Sequence, residues 1–159
     1  MLHLAEIASF AVDPVRNTPV IVLKESSGKR TIALPIGPIE ASAIAIHSLD
    51  VHSDKPLTID LTKLIMENLG GELLKAVIHD FEHQLFCSRI HIATEINVLV
   101  IDCRPSDALA LALRCGAPIF IDERVFEKTR PKDQLTEQEK LRQYVASIDT
   151  VEFGRYFLE

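Results

Sequence analysis

Apolar and polar positions alternate along the first part of the chain. Ile7–Val12 and Val20–Leu23 read as strands, the first ended by Asp13-Pro14 and the second by the turn signal Ser26-Ser27-Gly28-Lys29. Thr31–Ile36 returns as a third strand. The period then changes, and Gly37-Pro38 opens a helix from Ile39 to about His47, rich in alanine and isoleucine. His52–Pro56 is a polar loop. Thr58 or Asp60 caps a second helix, Leu61–Leu69, with Leu61, Leu64, Ile65 and Leu69 on one face and Gly70-Gly71 at its end. Leu73–His79 and Leu85–Ala93 read as two strands around a turn at Asp80–His83.

The stretch Asn97–Asp122 is the organising segment of the second half. Val98–Ile101 is a short β-branched run. Pro105 cannot continue a ladder and suits the first turn of a helix. Ala108–Leu113 is apolar at every position, which predicts a helix buried on most sides. Gly116 stops it, and Ile119–Ile121 gives another strand. After Asp122 the chain is charged, with little apolar periodicity until Thr136. The capping-box spacing Thr136-x-x-Glu139 then opens a helix through Tyr144. The tail Val151–Phe157 holds three aromatics and is expected to pack on something. The organisation expected is one domain over residues 1–130, with residues 131–159 forming a helix and an aromatic tail that pack on it.

Residues 31–46 lie over residues 98–113 at a constant shift of 67, without a gap. Pro38, Ala41, Ala43 and Ala45 match Pro105, Ala108, Ala110 and Ala112, and Glu40 matches Asp107. The same shift lays the strand at Val20–Leu23 over Cys87–Ile90. The unit is strand, turn, strand and Pro-started helix, used twice. The fold class expected is therefore α+β: a mixed, mainly antiparallel sheet with packed helices and an internal duplication. A pseudo-twofold arrangement would bring the corners at Glu40 and Asp107 into related positions.

Composition narrows the class. Of 159 residues, 47% are hydrophobic and 25% charged, ordinary for a globular domain. No apolar run approaches the ~20 residues of a membrane span. The N-terminus lacks a basic region and carries Glu6 within its apolar run, unlike a secretory signal. Cys87, Cys103 and Cys115 show no CxxC spacing and read as reduced thiols of a cytoplasmic protein. The net charge of -6 argues against broad polyanion binding and leaves room for a local basic site.

Candidate chemistry concentrates at the two strand-to-helix corners. With Pro38 and Pro105 as first helical residues, Glu40 and Asp107 fall at the third. A carboxylate there can bond free N–H groups of the first turn. Alternatively the two form a pair that binds a divalent metal or acts as general base, with Asp102 as a third oxygen ligand. Arg104 pairs with a carboxylate or grips a phosphate bidentately, and Ser106 could donate to the same group. No Gly-x-Ser-x-Gly elbow surrounds Ser106. His79-Asp80-Phe81-Glu82-His83 is metal-like in composition but reads as a solvated turn. Residues 104–132 carry six cations against four carboxylates, a weak basic patch read as a solvated loop. There is no P-loop, Rossmann glycine pattern or zinc-ligand spacing.

Leu34-Pro35-Ile36-Gly37-Pro38-Ile39-Glu40-Ala41, then Asp102-Cys103-Arg104-Pro105-Ser106-Asp107-Ala108 with Gly116-Ala117-Pro118-Ile119, resembles the bifunctional nuclease domain family. The closing Phe153-Gly154-Arg155-Tyr156 resembles its usual C-terminal end. The resemblance implies an α+β domain, often oligomeric, with degradation of DNA and RNA in some members. The expected function is phosphodiester hydrolysis of nucleic acid, assisted by magnesium or manganese. Glu40, Asp102 and Asp107 would be the metal ligands, with Glu40, Asp107 and Arg104 catalytic. Arg104, Ser106 and Gly37 would hold the substrate. A homodimer is expected, with no membrane association. The alternative is a non-catalytic oligomeric module that binds an anion or a protein.

Overall fold

The computed structural model describes residues 1–48 and 55–129. The chain opens with β1 (Leu2–Asp13), β2 (Thr18–Glu25), β3 (Thr31–Pro35) and α1 (Pro38–Ser48). Next come α2 (Thr58–Asn68), β4 (Glu72–Glu82), β5 (Leu85–Ala93) and β6 (Val98–Cys103). It continues through α3 (Pro105–Cys115), β7 (Ile119–Asp122) and α4 (Glu123–Thr129). The expected helix and aromatic tail beyond residue 130 lie outside the described residues.

The seven strands among the described residues form one sheet in the order β3-β2-β1-β7-β4-β5-β6. Every pairing is antiparallel except β4 with β7. The fold is α+β, as the sequence predicts. The order mirrors about β7: β1, β2 and β3 run outward on one side and β4, β5 and β6 on the other. The bounds of β2, β3 and α1 recur in β5, β6 and α3 at a shift of 67, to within a residue. Pairing differs slightly, because Ile21 faces Leu34 whereas its counterpart Ser88 faces Cys103 rather than Ile101. A slip of two residues leaves every side chain on its original face.

α3 packs against α1, α2, β4 and β5. Ala108 to Ala112 are all buried in it, and the alanines let α1 come close. Pro105 stands at its start, and Gly116 ends it with φ 64, a left-handed cap donating its N–H to Leu113 O at 3.3 Å. Ile21, Leu23, Leu34, Ile44, Ile78 and Ile121 are buried in the same core cluster, each worth roughly 2 kcal/mol of burial.

Five sequence expectations change. β1 begins at Leu2, well before Ile7, because its first half pairs with β7 (Leu2↔Asp122, Ala5↔Ile119). β4 runs on to Glu82, and the turn is His83-Gln84, both at positive φ (48 and 64), the geometry of a two-residue hairpin. Leu61, Leu64, Ile65 and Leu69 face solvent, and no residue of α2 is buried. The charged stretch after Asp122 contains α4, anchored by buried Val125 and Phe126. Arg114, counted in the weak basic patch, is no solvated cation: it is buried, pairs with Asp60 of α2 and donates to Ala43 O of α1 at 3.0 Å.

Candidate active site

The two strand-to-helix corners face one another. Arg104, the residue before α3, stands between them with its side chain 65% exposed. Its Nε and Nη2 donate to Asp107 Oδ2 and Oδ1 at 2.7 and 3.0 Å, and its Nη1 donates to Glu40 Oε1 at 2.7 Å. One guanidinium thus joins the first turns of α1 and α3. Neither carboxylate caps its own helix: among the described residues both are bonded to Arg104. These bonds, those to Asp107 above all, raise the Arg104 pKa further, so it stays charged.

Glu40, Asp102, Arg104, Ser106 and Gly37 all line a hollow of about 890 Å3 at this corner. Asp102 shares the hollow without joining the trio. Its carboxylate lies 3.6 Å from Arg89 Nε and 3.8 Å from His79 Nε2. β5–β6 pairing sets Arg89 directly opposite Asp102, which explains the orientation. Ser106 is buried at the start of α3. Gly37 leaves room for the Glu40 carboxylate: a Cβ there would overlap Glu40 Oε2 and push that side chain aside.

His79, the last residue of the strand read from the sequence, lies four residues before the His83-Gln84 turn. It sits on β4 and lines the same hollow. Burial, then the neighbouring Arg89 cation, lowers its pKa, which favours the neutral ring. Arg89 Nη2 lies 3.1 Å from the ring nitrogens. The signal in the sequence is the apolar alternation of β4 running on to Phe81. Cys103, also in the lining, is a poor nucleophile, because burial pushes its thiol pKa up.

Magnesium takes oxygen ligands and is commonly held by one or two carboxylates together with a substrate phosphate. Glu40 and Asp107 already converge on one cation, the Arg104 guanidinium, and so have donor chemistry suited to that set. A three-donor site is another matter. Among the described residues no group of three or more His, Cys, Asp or Glu is placed to hold a metal.

The profile described as the bifunctional nuclease domain matches residues 21–134, which include both corners. The chain belongs to that family. An uncharacterised protein of Mycobacterium tuberculosis is 30% identical over 92% of this chain and 95% of its own length. Bifunctional nuclease 1 of Oryza sativa subsp. indica is 28% identical, over 66% of this chain and 33% of the plant protein. Bifunctional nuclease 1 of Arabidopsis thaliana is 30% identical, over 66% of this chain and 34% of the plant protein. The chain thus spans about a third of these plant relatives. Family membership and the plant relatives support a nuclease-related role. No helix among the described residues is long and apolar enough to cross a membrane.

Proposed function

We infer that this protein hydrolyses phosphodiester bonds of DNA and RNA at the corner formed by Gly37–Ala41 and Asp102–Ala108. The observation that carries the reading is Arg104, an exposed guanidinium held by two carboxylates at the mouth of a hollow. A phosphate entering there meets the remaining N–H donors of a guanidinium of fixed geometry, beside the Ser106 N–H in the first turn of α3. The guanidinium would stabilise the charge that develops on the phosphorane oxygens. Water adds to phosphorus, the ester P–O bond breaks, and the leaving oxygen takes a proton from solvent. A carboxylate released from Arg104 accepts the proton that the attacking water loses.

Glu40 and Asp107 would hold a divalent ion of the magnesium or manganese type, with Asp102 outside the set because it faces Arg89. Such an ion supplies an acidified water and neutralises phosphate charge. The competing reading, a non-catalytic anion- or protein-binding module, draws on the fact that Arg104 already neutralises both carboxylates.

Release of labelled fragments from single-stranded RNA and DNA decides between them. Wild type, Asp107→Asn and Arg104→Ala are compared with and without EDTA, each first shown to fold. Losing either group should cost about 3 kcal/mol in the transition state, roughly a hundredfold in rate. Absence of metal-dependent cleavage by pure wild type, or wild-type rates in both variants, would sink the nuclease reading in favour of the binding module.

A further inference from the structure

A second hollow, of about 490 Å3, adjoins the first along Pro35, Gln84 and Phe86, which line both. Its walls come from the β1–β2 turn, the β2–β3 hairpin, the β4–β5 tip and α4. Among the described residues four cations line it, Arg16, Lys29, Arg30 and Lys128, and no carboxylate does. That is a local reversal in a chain of net charge -6. Two of the four are committed: Arg30 lies between Glu25 and Glu123, and Lys128 on Asp80. Arg16 and Lys29 are exposed on turns, and neither side chain meets a carboxylate among the described residues. Phe81 and Phe86 sit in the same wall, half-buried, with ring centroids 4.7 Å apart.

We propose that this hollow is the track for a single-stranded segment of nucleic acid, with Arg16 and Lys29 on its phosphates and the Phe81–Phe86 pair against its bases. The proposal rests on nucleic acid being the substrate of the adjoining corner. Uncommitted cations lining one hollow with half-buried aromatic rings suit an unpaired strand, since each base has a π-face to stack. A duplex keeps its bases stacked on one another and offers these rings nothing. Stacking and phosphate contact use neither a particular base nor the 2′-hydroxyl, so single-stranded DNA and RNA should bind alike.

Fluorescence anisotropy of a labelled oligonucleotide tests this, using the full chain in EDTA so that metal-dependent cleavage is blocked. The strand is offered as single-stranded DNA, as single-stranded RNA, as a duplex, and as an abasic strand with the same phosphates. Wild type should bind both single strands about tenfold more tightly than the duplex or the abasic strand, the size of one good stacking contact. Joint replacement Arg16→Gln with Lys29→Gln should flatten the slope of log affinity against log salt by about 1.4, about 0.7 for each phosphate lost. Phe86→Leu, which keeps an apolar side chain in the wall, should lose affinity for normal strands and none for the abasic one. Arg124→Gln, on an arginine outside the hollow, should leave binding unchanged. Equal affinity for normal and abasic strands, or an unchanged salt slope in the double variant, overturns the track. Binding without cleavage sinks the nuclease reading alone; cleavage without this binding sinks the track alone.

Discussion

At the scale of single residues, Gly37 controls where the Glu40 carboxylate can lie. With no Cβ at position 37, Glu40 folds back and meets Arg104 at 2.7 Å. Gly37→Ala should push that carboxylate aside and leave Arg104 on Asp107 alone. The overlap is with the tip of a flexible side chain, so folding stability should stay within about 1 kcal/mol of wild type. Cleavage should fall about tenfold, the worth of one weakened contact of ~1.4 kcal/mol. A thermal melt beside the cleavage assay separates the two effects, and a lower Tm with a wild-type rate would count against the role given to Gly37. Glu40, Arg104 and Asp107 are legible in the sequence because the Pro-x-acid spacing occurs twice and marks two helix starts. Their joining through one guanidinium is not, since it depends on how α1 and α3 pack. Nor is the turning away of Asp102, which comes from the register of β5 on β6.

Among elements, an ion cluster fastens the β2–β3 hairpin to β1 and α4. Glu25, at the end of β2, is buried and accepts two hydrogen bonds from Arg30 at 3.0 Å. His3 Nδ1 lies 2.9 Å from Glu25, its Nε2 lies 2.7 Å from Glu123, and Arg30 reaches Glu123 at 2.6 Å. The Arg30 guanidinium also stacks over Phe126, 4.1 Å from the ring centroid. The hydrogen bonds from Arg30, chief among the causes, lower the Glu25 pKa from 4.5 to about 2. A carboxylate depressed on folding stabilises fully above its unfolded pKa and loses that contribution as pH falls toward the folded value. Denaturant unfolding should therefore show Glu25→Gln less stable than wild type at pH 7, with the gap closing between about pH 4.5 and pH 2. A gap that does not vary with pH would refute the assignment. The helices begun by Pro38 and Pro105 are plain in the sequence, because proline, alanine spacing and a glycine stop act locally. The first half of β1 is not, since its partner β7 lies more than a hundred residues downstream. α4 is a seven-residue helix with two buried positions, too short to show a period. His83-Gln84 lacks the glycine or asparagine that advertises a two-residue turn.

For the molecule as a whole, the mirrored strand order leaves two outer strands, β3 and β6. They are not equally protected. β3 is five residues long, ends in Pro35, and has Ile32 and Leu34 buried. β6 presents Val98, Leu99, Val100 and Ile101 with between 43% and 52% of each exposed, so both faces of an edge with no partner strand among the described residues are apolar. Such an edge invites another strand, and natural sheets usually blunt it with charge, proline or a bulge. A second copy fits it best, because antiparallel pairing of β6 with itself about a twofold axis uses one surface twice and closes. Light scattering at micromolar concentration should then give twice the 17.8 kDa of one chain. Val100→Lys places a charge in the middle of that edge without touching the core, and should return the mass to that of a single chain. A wild-type mass of 17.8 kDa, or a Val100→Lys protein that stays dimeric, would rule out this edge as the contact between copies.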